Sequence, residues 1–322
     1  MSTPAAPSPW FPTAPCTPGR CAAHPGPPAP RVAAARGALR LAAGLAAVLL
    51  GVLLAPLTAV LPPARRLACV RVWCRAVVRA FGVRIRVHGP AVPPGTPLLV
   101  VANHLSWLDI PLVAAVLPGR MLAKREVRGW PVLGALAALG GTLFVDRERL
   151  RSLPGTVAAL GRVLAGGGRA VVFPEGSTWC GRAGGAFRPA AFQAALDTGT
   201  DVQPVRIAYR PAGPAAFVGD DPLGASLWRV ATARGLVAEL RVLDPLSGRR
   251  HPDRRALARA AETAVHGHRR GPAVTGVPRR PAAAGRSAQP TVASDSANRP
   301  SSSVHQRASV SPAAASSLRT PS

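Results

Sequence analysis

The stretch Leu98–Val113, LLVVANHLSWLDIPLV, is apolar apart from Asn103, His104, Ser106 and Asp109. Its opening run of aliphatic residues reads as a strand buried on both faces, as a parallel sheet requires. The residues SWLDIPLV read as the start of the next helix, which places His104 at a strand-to-helix turn. In open α/β sheets, groups that do chemistry collect at this edge, outside the carboxyl ends of the strands. If the segment is helical, Asp109 lies a little over one turn beyond His104. Its carboxylate can then reach one imidazole nitrogen, fix the tautomer and leave the other nitrogen free as a base. One histidine and one aspartate are too few ligands for a metal ion. Ser106 is not set in the G-x-S-x-G elbow of a serine hydrolase.

Working outward, RIRVHG, TLFVD, RAVVFP, VQPVRIAY and VAELRVL read as further strands. Between them, WPVLGALAALGG, LPGTVAALGRVLAGGG and RPAAFQAALDTG read as helices closed by glycine, and DRRALARAAETAVHGHRR as a last helix. Strands alternating with helices predict an α/β fold with a mostly parallel central sheet flanked by helices. Ahead of it, residues 41–63 carry no charge, and about 20 apolar residues suffice to cross a bilayer as a helix. Arginines flank the run, more heavily on its C-terminal side (Arg65, Arg66, Arg71, Arg75, Arg79), which puts the main body on the cytoplasmic side of the cell membrane. Pro56 opens an alternative in which the run dips into one leaflet as a re-entrant hairpin and the next segment lies along the interface. A buried soluble helix is the remaining reading of the run. The predicted organisation is a disordered Pro/Ala-rich leader (1–37), a membrane-anchoring helical segment (38–82), a catalytic domain (83–270) and a disordered tail (271–322).

A net charge of +26 attracts polyanions, but no basic stripe is interleaved with aromatics and no zinc spacing is present. Arginines bordering an apolar run instead point to an anionic membrane surface as partner, and not to nucleic acid. The five cysteines, Cys16, Cys21, Cys69, Cys74 and Cys180, are odd in number and include no C-x-x-C. That pattern predicts reduced, incidental thiols and no metal site. No bound cofactor is implied.

Three further blocks follow the opening stretch. GGTLFVDR brings Gly141, Phe144 and Arg147 to a strand end, VVFPEGST brings Phe173, Pro174, Glu175 and Gly176 to another, and VQPVRI places Pro204 on a third strand. Asn103-His104 with Asp109, then G-x-x-F-V-x-R, then F-P-E-G, then a proline-bearing strand resembles the ordered pattern of the glycerolipid acyltransferases, bacterial 1-acylglycerol-3-phosphate acyltransferases in particular. AKREVRGWPVLG, with Lys124, Glu126, Pro131 and Gly134, also looks like the family's segment after the first motif.

The resemblance implies a membrane acyltransferase that moves a fatty acyl group from acyl-CoA or acyl-carrier protein to the free hydroxyl of a lysolipid acceptor. The implied base is His104, with Asp109 orienting it. Arg147 and the Gly141 backbone are implied to hold the acceptor's phosphate, a geometry that suits a guanidinium fork. Glu175 and Gly176 are implied to line the same site, with the glutamate orienting Arg147 or a glycerol hydroxyl, and Lys124 to add a second positive contact. One departure bears on the acceptor. Phosphatidic-acid-forming members follow F-P-E-G with Thr-Arg, whereas this chain has Ser177 and Thr178, with Arg182 a few residues on. A lyso-ornithine lipid or another lysophospholipid is therefore the alternative acceptor to 1-acylglycerol 3-phosphate.

Overall fold

A computed structural model of the chain describes residues 14–22, 31–130, 133–146 and 149–267. The tail expected over 271–322 lies outside these residues. Seven strands form one sheet: β1 (Arg84–His88), β2 (Leu98–Ala102), β3 (Arg120–Lys124), β4 (Leu143–Val145), β5 (Arg169–Val172), β6 (Val202–Arg210) and β7 (Val237–Val242). The helices are α1 (Pro18–Cys21), α2 (Arg31–Ala59), α3 (Pro63–Ala80), α4 (Asp109–Ala114), α5 (Leu133–Leu139), α6 (Leu153–Ala165), α7 (Ala190–Thr198), α8 (Ala212–Ala215), α9 (Leu223–Thr232) and α10 (Arg254–Gly267).

The spatial order is β1-β7-β6-β2-β5-β3-β4, and every pairing is parallel except β6–β7. The predicted α/β architecture is thus observed. β2 is central and buried throughout, and its two-residue period divides the core. Leu98, Val100 and Ala102 face a cluster built with α3, α4 and α9, while Leu99 and Val101 face one built with α6, α7 and α10. Burial on both faces is why this strand reads as an unbroken apolar run. β3 was not expected, because RMLAK begins and ends with charges that sit exposed at the strand's tips.

The apolar run forms α2, which begins at Arg31, ahead of the boundary placed at residue 37. The alanine-rich RVAAARGALR favours helix, so the helix extends upstream of the uncharged run. α2 and α3 pack antiparallel. The Cα of Gly44 lies against the Phe81 ring and that of Gly51 against Trp73, where a Cβ would sit 2.5 and 2.3 Å from ring carbons. The Trp73 indole N–H donates to the Ala47 carbonyl at 2.8 Å. At the domain end, Arg40 donates to the carbonyls of Ala231 and Ala233 at the C-terminal end of α9. Both the N-terminal part of α2 and the end of α3 therefore return to the α/β domain. Leu45, Leu49, Leu50, Leu53 and Leu57 of α2 remain exposed.

Asn103 ties the edge of β2 to β6. Its amide donates to the Ile207 carbonyl at 2.9 Å and accepts from the Ile207 N–H at 2.8 Å, all buried. Asn103→Ala leaves both backbone groups unpaired, each loss costing about 1–3 kcal/mol. Thermal and denaturant unfolding in detergent should show a destabilisation of about 2–6 kcal/mol, and Asn103→Asp should not rescue it, because it turns a carboxylate oxygen toward the Ile207 carbonyl.

Candidate active site

The chain leaves β2 at Ala102 and runs through residues 103–106 without regular structure before α4 opens at Asp109. The helix thus starts three residues later than expected, because the Asp109 side chain takes up the amides ahead of it. Its Oδ2 accepts from the N–H groups of Leu105 (2.6 Å) and Ser106 (2.8 Å) and lies 2.8 Å from His104 Nδ1. Its Oδ1 accepts from the Tyr209 hydroxyl of β6 at 2.6 Å. Asp109 is 0% exposed. A carboxyl group surrounded by donors on both oxygens is held as the acceptor-only carboxylate. That fixes the proton of the neutral imidazole on Nδ1 and leaves the Nε2 lone pair free, on a side chain that keeps 20% exposure.

A second frame comes from the adjacent strand. β5 ends at Val172, and Phe173 stacks on the His104 ring with centroids 4.3 Å apart and planes at 21°. The following turn closes through the Gly176 N–H to the Phe173 carbonyl at 3.1 Å, with Gly176 at φ 73°, a backbone state that favours glycine. Glu175 turns inward and is 2% exposed. Its Oε2 accepts from the His104 N–H at 2.7 Å, its Oε1 accepts from the Gly185 N–H at 3.1 Å, and His266 Nε2 of α10 lies 3.3 Å from Oε1. The His104 carbonyl accepts from the Trp179 N–H at 2.7 Å. Both backbone groups of His104 are therefore held by the loop after β5. Through these contacts the Glu175 carboxylate ties the loop after β5 to the His104 backbone.

The other candidates divide between the two edges of the sheet: Lys124 ends β3 on the side of His104, whereas Gly141 precedes β4 at the opposite edge, beside Arg120 at the start of β3, so the structure does not bring Gly141 to the expected phosphate site. Lys124 is the exposed last residue of β3. Gly141 (φ 68°) closes α5 and turns the chain into β4, which ends at Val145. An open cleft of about 430 Å³ lies at these ends, lined by Arg125, Glu126, Gly129, Asp146 and Arg149, with Arg125 paired to Asp146 at 2.9 Å. Arg147 lies outside the described residues. Trp107 packs inside at 5.1 Å from Phe81 and donates to Ser226 at 3.2 Å.

The sequence reading missed Tyr209, which sits 100 positions from Asp109. The available signal was its being the chain's single tyrosine, placed on a strand of otherwise aliphatic alternation. Burial, the Asp109 charge and their hydrogen bond together push its phenol well above the usual tyrosine range. A raised pKa in the folded state means the associated stability is intact below the unfolded value of about 10 and is lost as pH climbs from there toward the folded value. Ultraviolet titration should therefore show no phenolate in the folded protein at pH values where the denatured chain is fully ionised. Tyr209→Phe should remove that alkaline loss of stability and lower activity.

A sequence model of the Acyltransferase family matches residues 84–208. The lyso-ornithine lipid O-acyltransferase of Pseudomonas aeruginosa is 38% identical over 218 residues, covering 65% of this chain and 81% of the relative. The 1-acyl-sn-glycerol-3-phosphate acyltransferase of Neisseria meningitidis is 32% identical over 210 residues, covering 63% and 81%. The crystal structure of the 1-acyl-sn-glycerophosphate acyltransferase PlsC from Thermotoga maritima superposes with a TM-score of 0.57 at 19% identity, covering 73% of this chain and 95% of that one, a likeness of fold. With four-fifths of a relative spanned at this identity, and the His104, Glu175 and Pro204 blocks all inside the matched residues, the chain belongs to the glycerolipid acyltransferase family and is an O-acyltransferase.

Proposed function

We propose that His104 is the general base that acylates a lysolipid. The observation that carries this reading is the His104–Asp109 contact at 2.8 Å, which leaves Nε2 as the free acceptor. Nε2 takes the proton of the lysolipid hydroxyl as its oxygen attacks the thioester carbonyl of acyl-CoA or acyl-carrier protein. The tetrahedral intermediate collapses, the C–S bond breaks, and the imidazolium returns its proton to the leaving thiolate. Asp109 stabilises the transient imidazolium, and no acyl-enzyme forms. Tyr209 and Glu175 are positioning residues, acting through Asp109 and the His104 backbone.

The proposed acceptor is 1-acylglycerol 3-phosphate, giving phosphatidic acid, with Arg147 and Lys124 on the phosphate. Both are drawn from the segments that border the arginine-lined cleft, and Gly176 shapes the turn beside His104. A second reading, a lyso-ornithine lipid, is favoured by Ser177-Thr178 in place of Thr-Arg. The 38% identity to the Pseudomonas enzyme, against 32% to the Neisseria one, also supports it.

The return of both helix ends to the domain supports a dip into one leaflet over a full span. Arg65 and Arg66 near the hairpin's tip resist entry to the bilayer centre, so the pair lies in the interface with the α2 leucines in the acyl region. The weight of arginine around α3 favours the cytoplasmic leaflet.

Purified protein in detergent, supplied with acyl-CoA and a panel of lysolipids, should release free thiol and form the diacyl product, read by lipid mass spectrometry. His104→Ala should lower the rate about 10²–10⁴-fold with the fold retained, and Asp109→Asn should follow it. Undiminished turnover in folded His104→Ala rejects the base. Preference for the ornithine-bearing acceptor over the phosphate-bearing one selects the second reading.

A further inference from the structure

Three cysteines that the sequence reading treated as unrelated are gathered at one place. The sulfurs of Cys16, Cys21 and Cys180 all lie within 4.8 Å of one another. Cys16 and Cys180 are buried, at 8% and 6% exposure, and Cys21 is half-buried. Spacing along the chain concealed this, because the third member comes from the loop after β5. Part of the expected leader is accordingly packed: Cys16 is buried in a small cluster with Cys180, Ala216 and Val218, and Ala14, Cys21 and Trp179 lie against it.

We infer that Cys16, Cys21 and Cys180 form a site for a thiophilic d¹⁰ cation, with Zn²⁺ as its probe. A zinc–thiolate bond of about 2.3 Å sets sulfurs about 3.8 Å apart in a tetrahedral arrangement, within the span these three already occupy. The half-buried side at Cys21 leaves the fourth position to solvent. Three thiolates with one divalent ion carry a net charge of about −1, which the arginine-rich chain accommodates. Binding replaces the thiol protons, which pass to solvent, and no electron transfer is involved. A disulfide would engage two of the three sulfurs, leave the third unused and require an oxidant.

The site would clamp residues 14–22 to the loop that also carries Glu175 and the Trp179 N–H on His104. The bound ion therefore steadies the loop framing the active site from behind.

The full-length protein, purified in detergent under anaerobic reducing conditions, provides the test. Alkylation with N-ethylmaleimide, with and without Zn²⁺ and mapped by mass spectrometry, should show Zn²⁺ protecting Cys16, Cys21 and Cys180 while exposed Cys69 on α3 reacts equally in both. Cd²⁺ should bind at one ion per chain with thiolate-to-metal charge-transfer absorbance. Cys16→Ser and Cys21→Ser should each weaken binding by about 10–100-fold or more, and Cys69→Ser should not. Zn²⁺ should raise the Tm of the wild type and not of Cys16→Ser. Should Cys180→Ser fail to fold, Cys21→Ser on the half-buried side decides. Unprotected thiols, cadmium binding undiminished in Cys16→Ser, or a disulfide between two of the three in the protein as purified would each overturn the inference. None of these readouts depends on acyl transfer.

Discussion

A buried carboxylate with no cation to pair with must be surrounded by donors or it is not tolerated, since the uncompensated charge costs several kcal/mol. Asp109 meets that demand with His104, two amides of its own loop and the one tyrosine of the chain. The loop amides force residues 103–106 to wrap the carboxylate before α4 begins, which is what lifts His104 to the sheet edge. The tyrosine belongs to β6, so the same carboxylate is satisfied only when β6 lies correctly beside β2. Closure of the fold and orientation of the imidazole are thus one event.

The neighbouring strand repeats the device from the other side. Glu175 is almost as buried as Asp109, and it too is spent on backbone amides. One carboxylate holds the ring of His104, the other holds its peptide, and Phe173 covers a ring face. A general base contributes only when its lone pair is held in line with the proton it takes, so rigidity of this kind is functional. It also explains why an acidic residue sits in a site proposed to receive an anionic lipid: Glu175 faces the loop, where its oxygens accept from the N–H groups of His104 and Gly185 and lie beside His266.

What the sequence made legible were features with local periodicity. β2 is readable because both its faces are buried, and the helices ending in glycine are readable because the chain must reverse there. Features set by partners far along the chain were not. β3 lacks an apolar run because its ends are solvated. Tyr209, Glu175 and the three-cysteine cluster owe their meaning to contacts between segments at least 70 residues apart. The length of the apolar run in α2 could not say whether it spans or returns. The close pairing of α2 with α3 was equally hidden: it rests on Gly44 and Gly51, whose missing side chains let the helix press against Phe81 and Trp73.

Those same aromatic contacts carry the argument from the apolar helices to the chemistry. Phe81 ends α3 and meets Trp107, which belongs to the loop wound around Asp109. The Trp107 indole is held by Ser226 of α9, and Arg40 of α2 is tied to carbonyls at the C-terminal end of α9. Helical hairpin, α9 and the His104 loop are therefore one packed unit, with few voids through which one part shifts without the others. An enzyme whose acceptor resides in a bilayer must hold its base at a fixed height above that surface. A flexible tether would leave the height to chance, whereas a hairpin packed against the loop that carries the base sets both together. On the proposed reading, depth of insertion and position of the imidazole are fixed by a single set of contacts, running from Trp73 through Phe81 and Trp107 to Asp109.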